Sequence, residues 1–162
     1  MRAGEARRIG LVSDTHGMVR PELFQALDGV ELILHAGDVG PDEILEQLGM
    51  IAPVHAVYGN TDAPGRRLLR EAIDITVDGV RIHVSHGHEV GSPSPERLAA
   101  KYDADVIVFG HTHRQLVARI GEQLIVNPGA AGARRFDLQP SAAVLTIADG
   151  RAAAALVPLA AG

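Results

Sequence analysis

An apolar run, Asp105-Val106-Ile107-Val108-Phe109, that stops at Gly110-His111-Thr112-His113 constrains this chain more than any other stretch. So short an apolar run reads as a buried strand. Gly110 carries no Cβ and lets the backbone turn tightly at the strand's end. His111 and His113, one residue apart in such a turn, can aim into one cavity. The arrangement recurs along the chain. Residues 8–13 are followed by Asp14-Thr15-His16-Gly17, and residues 31–35 by Ala36-Gly37-Asp38. Residues 53–58 are followed by Gly59-Asn60-Thr61-Asp62, and residues 80–85 by His86-Gly87-His88. Strand after strand ending in acids, amides and imidazoles predicts one site assembled from several loops.

The stretches between these strands set the fold class. Pro21 opens a helix to about residue 27, with Pro suited to a first turn. Residues 41–48 form a second, with Asp42 and Glu43 in the first turn, where the helix dipole favours acids. Strand and helix alternating in this way predict parallel strands joined by crossovers. In such sheets ligands bind beyond the carboxyl ends of the strands, where the polar motifs lie. Residues 65–71, with Arg66, Arg67 and Arg70, read as a loop or one helical turn. Hairpins are predicted around Asp78-Gly79, Gly121 and Asp149-Gly150, and a helix from Pro95 to about residue 102. With no internal repeat and no linker, residues 1–162 are expected to form a single α/β domain.

Composition narrows the chemistry. The chain has no Cys, which excludes thiolate catalysis and thiolate zinc sites and fits a reducing cytoplasm. The formal charge of −5, with no Trp and few other aromatics, argues against a nucleic-acid polymer as partner. No apolar stretch approaches the ~20 residues of a membrane span, and the charged N-terminus precedes too short an apolar run for a signal peptide. A small anionic substrate remains compatible if a metal supplies the positive charge.

Asp14, His16, Asp38, Asn60, His86, His111 and His113 make a set of oxygen and imidazole donors. Each alone has a plain alternative: Asp14 as a turn residue, Asp38 as a cap before Pro41, Asn60 as a turn after glycine. Their coincidence at strand ends favours one shared site. A tetrahedral ion needs four ligands. This larger set suits two ions about 3.5–4 Å apart, sharing a carboxylate and a hydroxide. Donors without sulfur suit Mn first, with Fe, Zn, Ni or Co as alternatives, over Ca or Mg. His35, His55 and His83 lie inside strands and are expected to be structural. His88 stands between a supporting role and none. Arg66, Arg67 and Arg70 are expected on a solvated face, and Arg134 and Arg135 are lesser candidates for phosphate binding.

The ordered motifs Asp14-Thr15-His16, Gly37-Asp38, Gly59-Asn60-Thr61-Asp62, His86-Gly87-His88 and Gly110-His111-Thr112-His113 resemble the calcineurin-like metallophosphoesterases, especially their small bacterial and archaeal phosphodiesterase branch. The resemblance implies a four-layer αββα sandwich of two mixed β-sheets flanked by helices. It implies Asp14, His16, Asp38 and His113 on one ion, and Asp38, Asn60, His86 and His111 on the other, with Asp38 bridging. It implies hydrolysis of a small phosphate ester, with Asp38 and Asn60 in the reacting centre; the proton for the leaving oxygen is left to His88 or a metal-bound water. Thr61 stands where many members carry the His that protonates the leaving oxygen, so poor leaving groups are expected to react slowly. A rival reading is a non-catalytic metal-binding scaffold like the retromer subunit of this fold. Homodimerisation is compatible with either.

Overall fold

A computed structural model describes residues 6–133 and 138–159. The strands are β1 (Arg7–Val12), β2 (Leu32–His35), β3 (Val54–Val57), β4 (Leu69–Arg70), β5 (Ile73–Val77), β6 (Val80–Val84), β7 (Val106–Val108), β8 (Leu116–Ile120), β9 (Gln123–Asn127), β10 (Ser141–Ala148) and β11 (Arg151–Pro158). The helices are α1 (Glu22–Ala26), α2 (Asp42–Gly49) and α3 (Pro95–Lys101), with a single 3-10 turn at His88–Val90.

Two mixed sheets result, in the orders β11-β10-β1-β2-β3-β4 and β5-β6-β7-β9-β8. β1, β2, β3 and β4 run parallel, and β10 lies antiparallel to β1. In the second sheet β6, β7 and β9 are parallel, flanked by their antiparallel hairpin partners β5 and β8.

Period-two alternation distributes the apolar residues into layers. Ile9, Leu11, Leu34, Val57, Ile82, Val84, Val106 and Val108 meet Leu145 and Ile147 in a core between the sheets. Residues one step along face outward. Val12 and Ile33 pack with Leu23 of α1, Leu27 just after it, and Ile44 and Leu48 of α2. Ile107 and Ile125 pack with Leu98 of α3. The layers are therefore helices, sheet, sheet, helix, the αββα order. Ser94 caps α3 by accepting from the Arg97 amide, and Pro95 follows at its first position.

The expected elements are present, with ends shifted by a residue or two. Residues 65–71 differ from expectation: Leu69–Arg70 adds a two-residue strand to the edge of β3, burying Leu69. Two residues carry no periodicity to read. Arg134 and Arg135 lie outside the described residues. Among the described residues no helix is long and apolar enough to cross a membrane.

Candidate metal centre

The parallel strands bring the polar motifs to one end of the two sheets. Asp14 and His16 follow β1, Asp38 follows β2, Asn60 follows β3, His86 follows β6, and His111 and His113 follow β7. Backbone hydrogen bonds continue between the loops beyond the strands: Asp14 N to Gly37 O and His16 N to Asp38 O, both 2.9 Å, and Gly110 N to His86 O, 2.9 Å. Asn127, fully buried, donates to Gly110 O at 3.1 Å and to Thr112 Oγ1 at 3.0 Å, fastening the loop that carries His111 and His113.

Most of the predicted donors sit in left-handed backbone. The φ values are 53° at Asp14, 47° at His16, 55° at Asp38, 71° at His111 and 63° at His113. Elsewhere among the described residues only Asp78 and Asp149, in hairpin turns, are non-glycine with positive φ. Such conformations cost of order 1–3 kcal/mol each and persist where surrounding structure imposes them, commonly at functional sites.

The side chains converge. Asp14 Oδ1 faces His113 Nε2 at 3.4 Å, His16 Nε2 at 3.7 Å and His86 Nε2 at 3.9 Å. Asp38 Oδ2 stands 3.1 Å from His86 Nε2 and 3.6 Å from His16 Nε2, between the two imidazoles. Asn60 Oδ1 meets His86 Nε2 at 3.0 Å and His111 Nδ1 at 3.1 Å. Donors bound ~2.0–2.2 Å from one ion are separated by about 3–3.5 Å, and the separations here run from 3.0 to 3.9 Å. Two groups have ligand atoms mutually close enough for an ion: Asp14, His16 and His113, and Asp14, Asp38 and His86.

Two features fit a positive charge at the centre of this cluster. Asp14 Oδ1 is buried without a hydrogen-bond partner among the described residues, and an unpaired buried charge is strongly disfavoured. His86 Nδ1 lies 2.7 Å from Ala36 O, which can only accept, so that nitrogen carries the proton. In the neutral ring Nε2 then turns a lone pair toward the carboxylate of Asp38. Acceptor against acceptor at 3.1 Å requires a positive charge between them, a second proton or a metal. Locking one ring nitrogen so that the other is free is how ligand histidines are oriented.

The charges reflect the same crowding. Burial pushes the Asp14 carboxyl up, but the His113 and His16 imidazoles, the charge of His86 and the Ser13 hydroxyl outweigh it and hold it well below the usual range. Burial also acts on Asp38, where His86 and the Thr61 amide and hydroxyl bring the carboxyl down to about 2. Burial lowers His86, yet Asp38 and Asp14 raise it on balance. Burial and the neighbouring His86 lower His111.

Other motif residues have different work. Asp62 carries no donor atom toward the site. Its carboxylate accepts from the amides of Val39 at 2.9 Å, Gly59 at 3.0 Å and Gly40 at 3.1 Å, tying the Asp38 loop to the Asn60 loop. Arg66 is not merely solvated: it donates to Gly40 O at 2.7 Å and pairs with Asp42 and Asp62. Thr61 donates through its amide at 2.9 Å and its hydroxyl at 2.7 Å to Asp38 Oδ1. Ser13, unremarked in the sequence, donates to Asp14 Oδ2 at 2.6 Å. Its signal was a hydroxyl next to a donor acid, which is too common to single out. His35 is a structural residue, as expected: its Nδ1 accepts from the Gly37 amide, Nε2 meets Thr15, and burial lowers it to about 4. His83 is likewise held between Asp74 and Ser85. His88 lies just outside the donor set, its ring centroid 5.3 Å from that of His86 and 6.3 Å from that of His111. It lines a cavity of ≈ 420 Å³ with Tyr58, Ser85 and Tyr102.

The family model of the calcineurin-like phosphoesterase superfamily domain matches residues 8–150. A probable metallophosphoesterase of Methanothermobacter thermautotrophicus is 35% identical over 153 residues, covering 86% of this chain and 85% of the relative. The phosphodiesterase YfcE of Escherichia coli is 31% identical over 148 residues, covering 76% of this chain and 78% of the relative. Among solved structures, Vacuolar Protein Sorting 29 of Cryptosporidium parvum superposes with a TM-score of 0.78 over 94% of this chain and 97% of its own, at 22% identity, a likeness of fold.

Proposed function

This chain belongs to the calcineurin-like phosphoesterase superfamily, and on that premise we propose that it is a di-metal phosphodiesterase acting on small phosphate esters. Asp14, His16, Asp38 and His113 would hold one divalent ion and Asp38, Asn60, His86 and His111 the other, with manganese first among the metals. When bound, the pair supplies Lewis acidity toward phosphate oxygens and an activated water for in-line attack on phosphorus.

The chain's own residues do the rest. Two carboxylates and four neutral imidazoles leave two divalent ions only partly neutralised, so the loaded site attracts a phosphate anion despite the acidic protein. The backbone ties between the loops keep the donors in place before substrate arrives, so little reorganisation is needed at the reaction. His88, beside His86 and His111, is positioned to pass a proton to the leaving oxygen, and the cavity it lines has room for the ester's organic arm.

The observation that carries this reading is the buried, unpartnered Oδ1 of Asp14 facing three imidazole Nε2 atoms. A metal-binding scaffold would share this arrangement; the likeness in sequence to a phosphodiesterase and a probable metallophosphoesterase favours the enzyme, and the likeness to Vacuolar Protein Sorting 29 extends to fold alone. The test is reconstitution with manganese, elemental analysis, and assay on phosphomonoesters, phosphodiesters and cyclic nucleotides. About two ions per chain and chelator-sensitive hydrolysis of bis(4-nitrophenyl) phosphate are expected. Loading that never exceeds one ion overturns the paired centre; full loading without hydrolysis of any ester class favours the scaffold.

A further inference from the structure

The two site carboxylates are tied in the same way. Asp14 Oδ2 accepts from the Ser13 hydroxyl at 2.6 Å and the His111 amide at 3.1 Å. Asp38 Oδ1 accepts from the Thr61 hydroxyl at 2.7 Å and the Thr61 amide at 2.9 Å. In each case one hydroxyl and one backbone amide occupy one oxygen and leave the other, Asp14 Oδ1 or Asp38 Oδ2, turned toward the imidazoles. Glycines close both clamps: a Cβ on Gly110 would overlap Ser13 Oγ and Asp14 Oδ2, and a Cβ on Gly59 would overlap Asp38 Oδ1. The two carboxylates come from different loops of one sheet, and their clamping hydroxyls come from opposite sides in sequence, Ser13 before its acid and Thr61 far after its own.

A tied oxygen is poorly placed to bind an ion as well. A bidentate carboxylate must present both oxygens within about 2.3–2.6 Å of the metal, as calcium sites commonly require to gather six to eight oxygens. Ions that accept imidazole and fewer oxygens do not need the second one. Resting on the metal-centre reading above, we propose that Ser13 and Thr61 are the metal-selecting residues of this site. By restricting Asp14 and Asp38 to one coordinating oxygen each, their hydroxyls favour manganese-like ions over calcium. They touch neither ion and act by positioning the two carboxylates.

The test compares manganese and calcium binding by calorimetry on wild type, Thr61→Val, Thr61→Ser and Ser13→Ala. Valine keeps the shape of threonine and removes the hydroxyl donor. Supporting groups around metal ligands typically change affinity by about 10–100-fold. Thr61→Val should therefore weaken manganese by roughly 10-fold or more while calcium holds or strengthens, narrowing the preference. Thr61→Ser should restore it, and Ser13→Ala should narrow it through Asp14. If Ser13→Ala fails to fold, the Thr61 pair still decides. An unchanged ratio of the two affinities in Thr61→Val overturns the proposal, whether both affinities stay or both fall together. Wild-type protein that binds no manganese removes the metal centre itself, a result distinguishable from any difference between variants.

Discussion

Asp14 and Asn60 are both oxygen donors at the end of a parallel strand, yet they are held in opposite ways. Asp14 is 1% exposed, sits in left-handed backbone, and has one oxygen tied by Ser13 and the His111 amide. Asn60 is exposed, and among the described residues its amide oxygen meets the rings of His86 and His111. The inner half of the site, Asp14, Asp38, His86 and His113, is buried and cross-tied to the sheets. In the outer half Asn60 is exposed and His111 half-buried, with the His111 backbone fastened to Asp14 through its amide and the Asn60 side chain meeting imidazoles. The backbone of the inner half should therefore keep its course without metal, while the exposed Asn60 side chain should depend most on the ion. In binding terms, the inner half is preorganised and the outer half must be ordered on loading.

The sharpest way to break this comparison is at the residue proposed to serve both ions. Asp38→Ala should reduce turnover by more than about 10³-fold, equivalent to ~4 kcal/mol of barrier, with the circular dichroism spectrum unchanged. A folded variant turning over near the wild-type rate in excess manganese would show that Asp38 is not shared. Next comes stoichiometry. Asn60→Ala and His111→Ala should retain about one ion per chain, whereas Asp38→Ala should lose both; equal losses in all three would show that no single residue serves both ions.

The third test concerns the tie between the loops. Asp62→Ala leaves the buried amides of Val39 and Gly59 without acceptors, each at ~1–3 kcal/mol. The melting temperature of the metal-free protein should fall, and added manganese should recover part of the loss because binding stabilises the folded state. A melting temperature equal to wild type would mean the loops are held by other contacts.

The smallest effect concerns proton supply. His88→Ala should slow alkyl phosphodiesters by up to about 10²-fold and leave nitrophenyl esters nearly unchanged, since aryl leaving groups hardly need protonation. An even loss on both classes assigns His88 a structural role. Thr61→His, which would place an imidazole where many relatives of this superfamily have one, should not simply add an acid. It removes the hydroxyl bound to Asp38, so weaker manganese binding is expected to accompany any gain on alkyl esters.

Much of the site was legible before any coordinates. Short apolar runs ending in glycine beside acids and imidazoles are local signals, because strand length, the period of two and tight turns are all set by neighbouring residues. That reading brought Asp14, His16, Asp38, Asn60, His86, His111 and His113 into one list, and the structure places them at one end of the sheets. Asp62 shows the limit. From spacing alone it looked like part of the same chemistry, whereas it faces three amides of its own and the neighbouring loop. A carboxylate at a strand end can serve an ion or the backbone, and only the direction of its side chain distinguishes them.

The chain by itself determined its strands, hairpins, helix starts and the inventory of donors, since each rests on interactions within a few residues. Only the tertiary structure decided that β10 returns to pair with β1, Ile9 opposite Leu145 and Gly10 opposite Val144. The same holds for the two-residue β4 on the edge of β3, for which no local pattern speaks. It also decided which oxygen of each carboxylate is free, because the groups that take the other oxygen, Thr61 for Asp38 and the His111 amide for Asp14, come from distant loops. Side-chain direction at such a site depends on contacts across 23 or 97 residues of chain, and contacts at that separation leave no periodicity in the sequence.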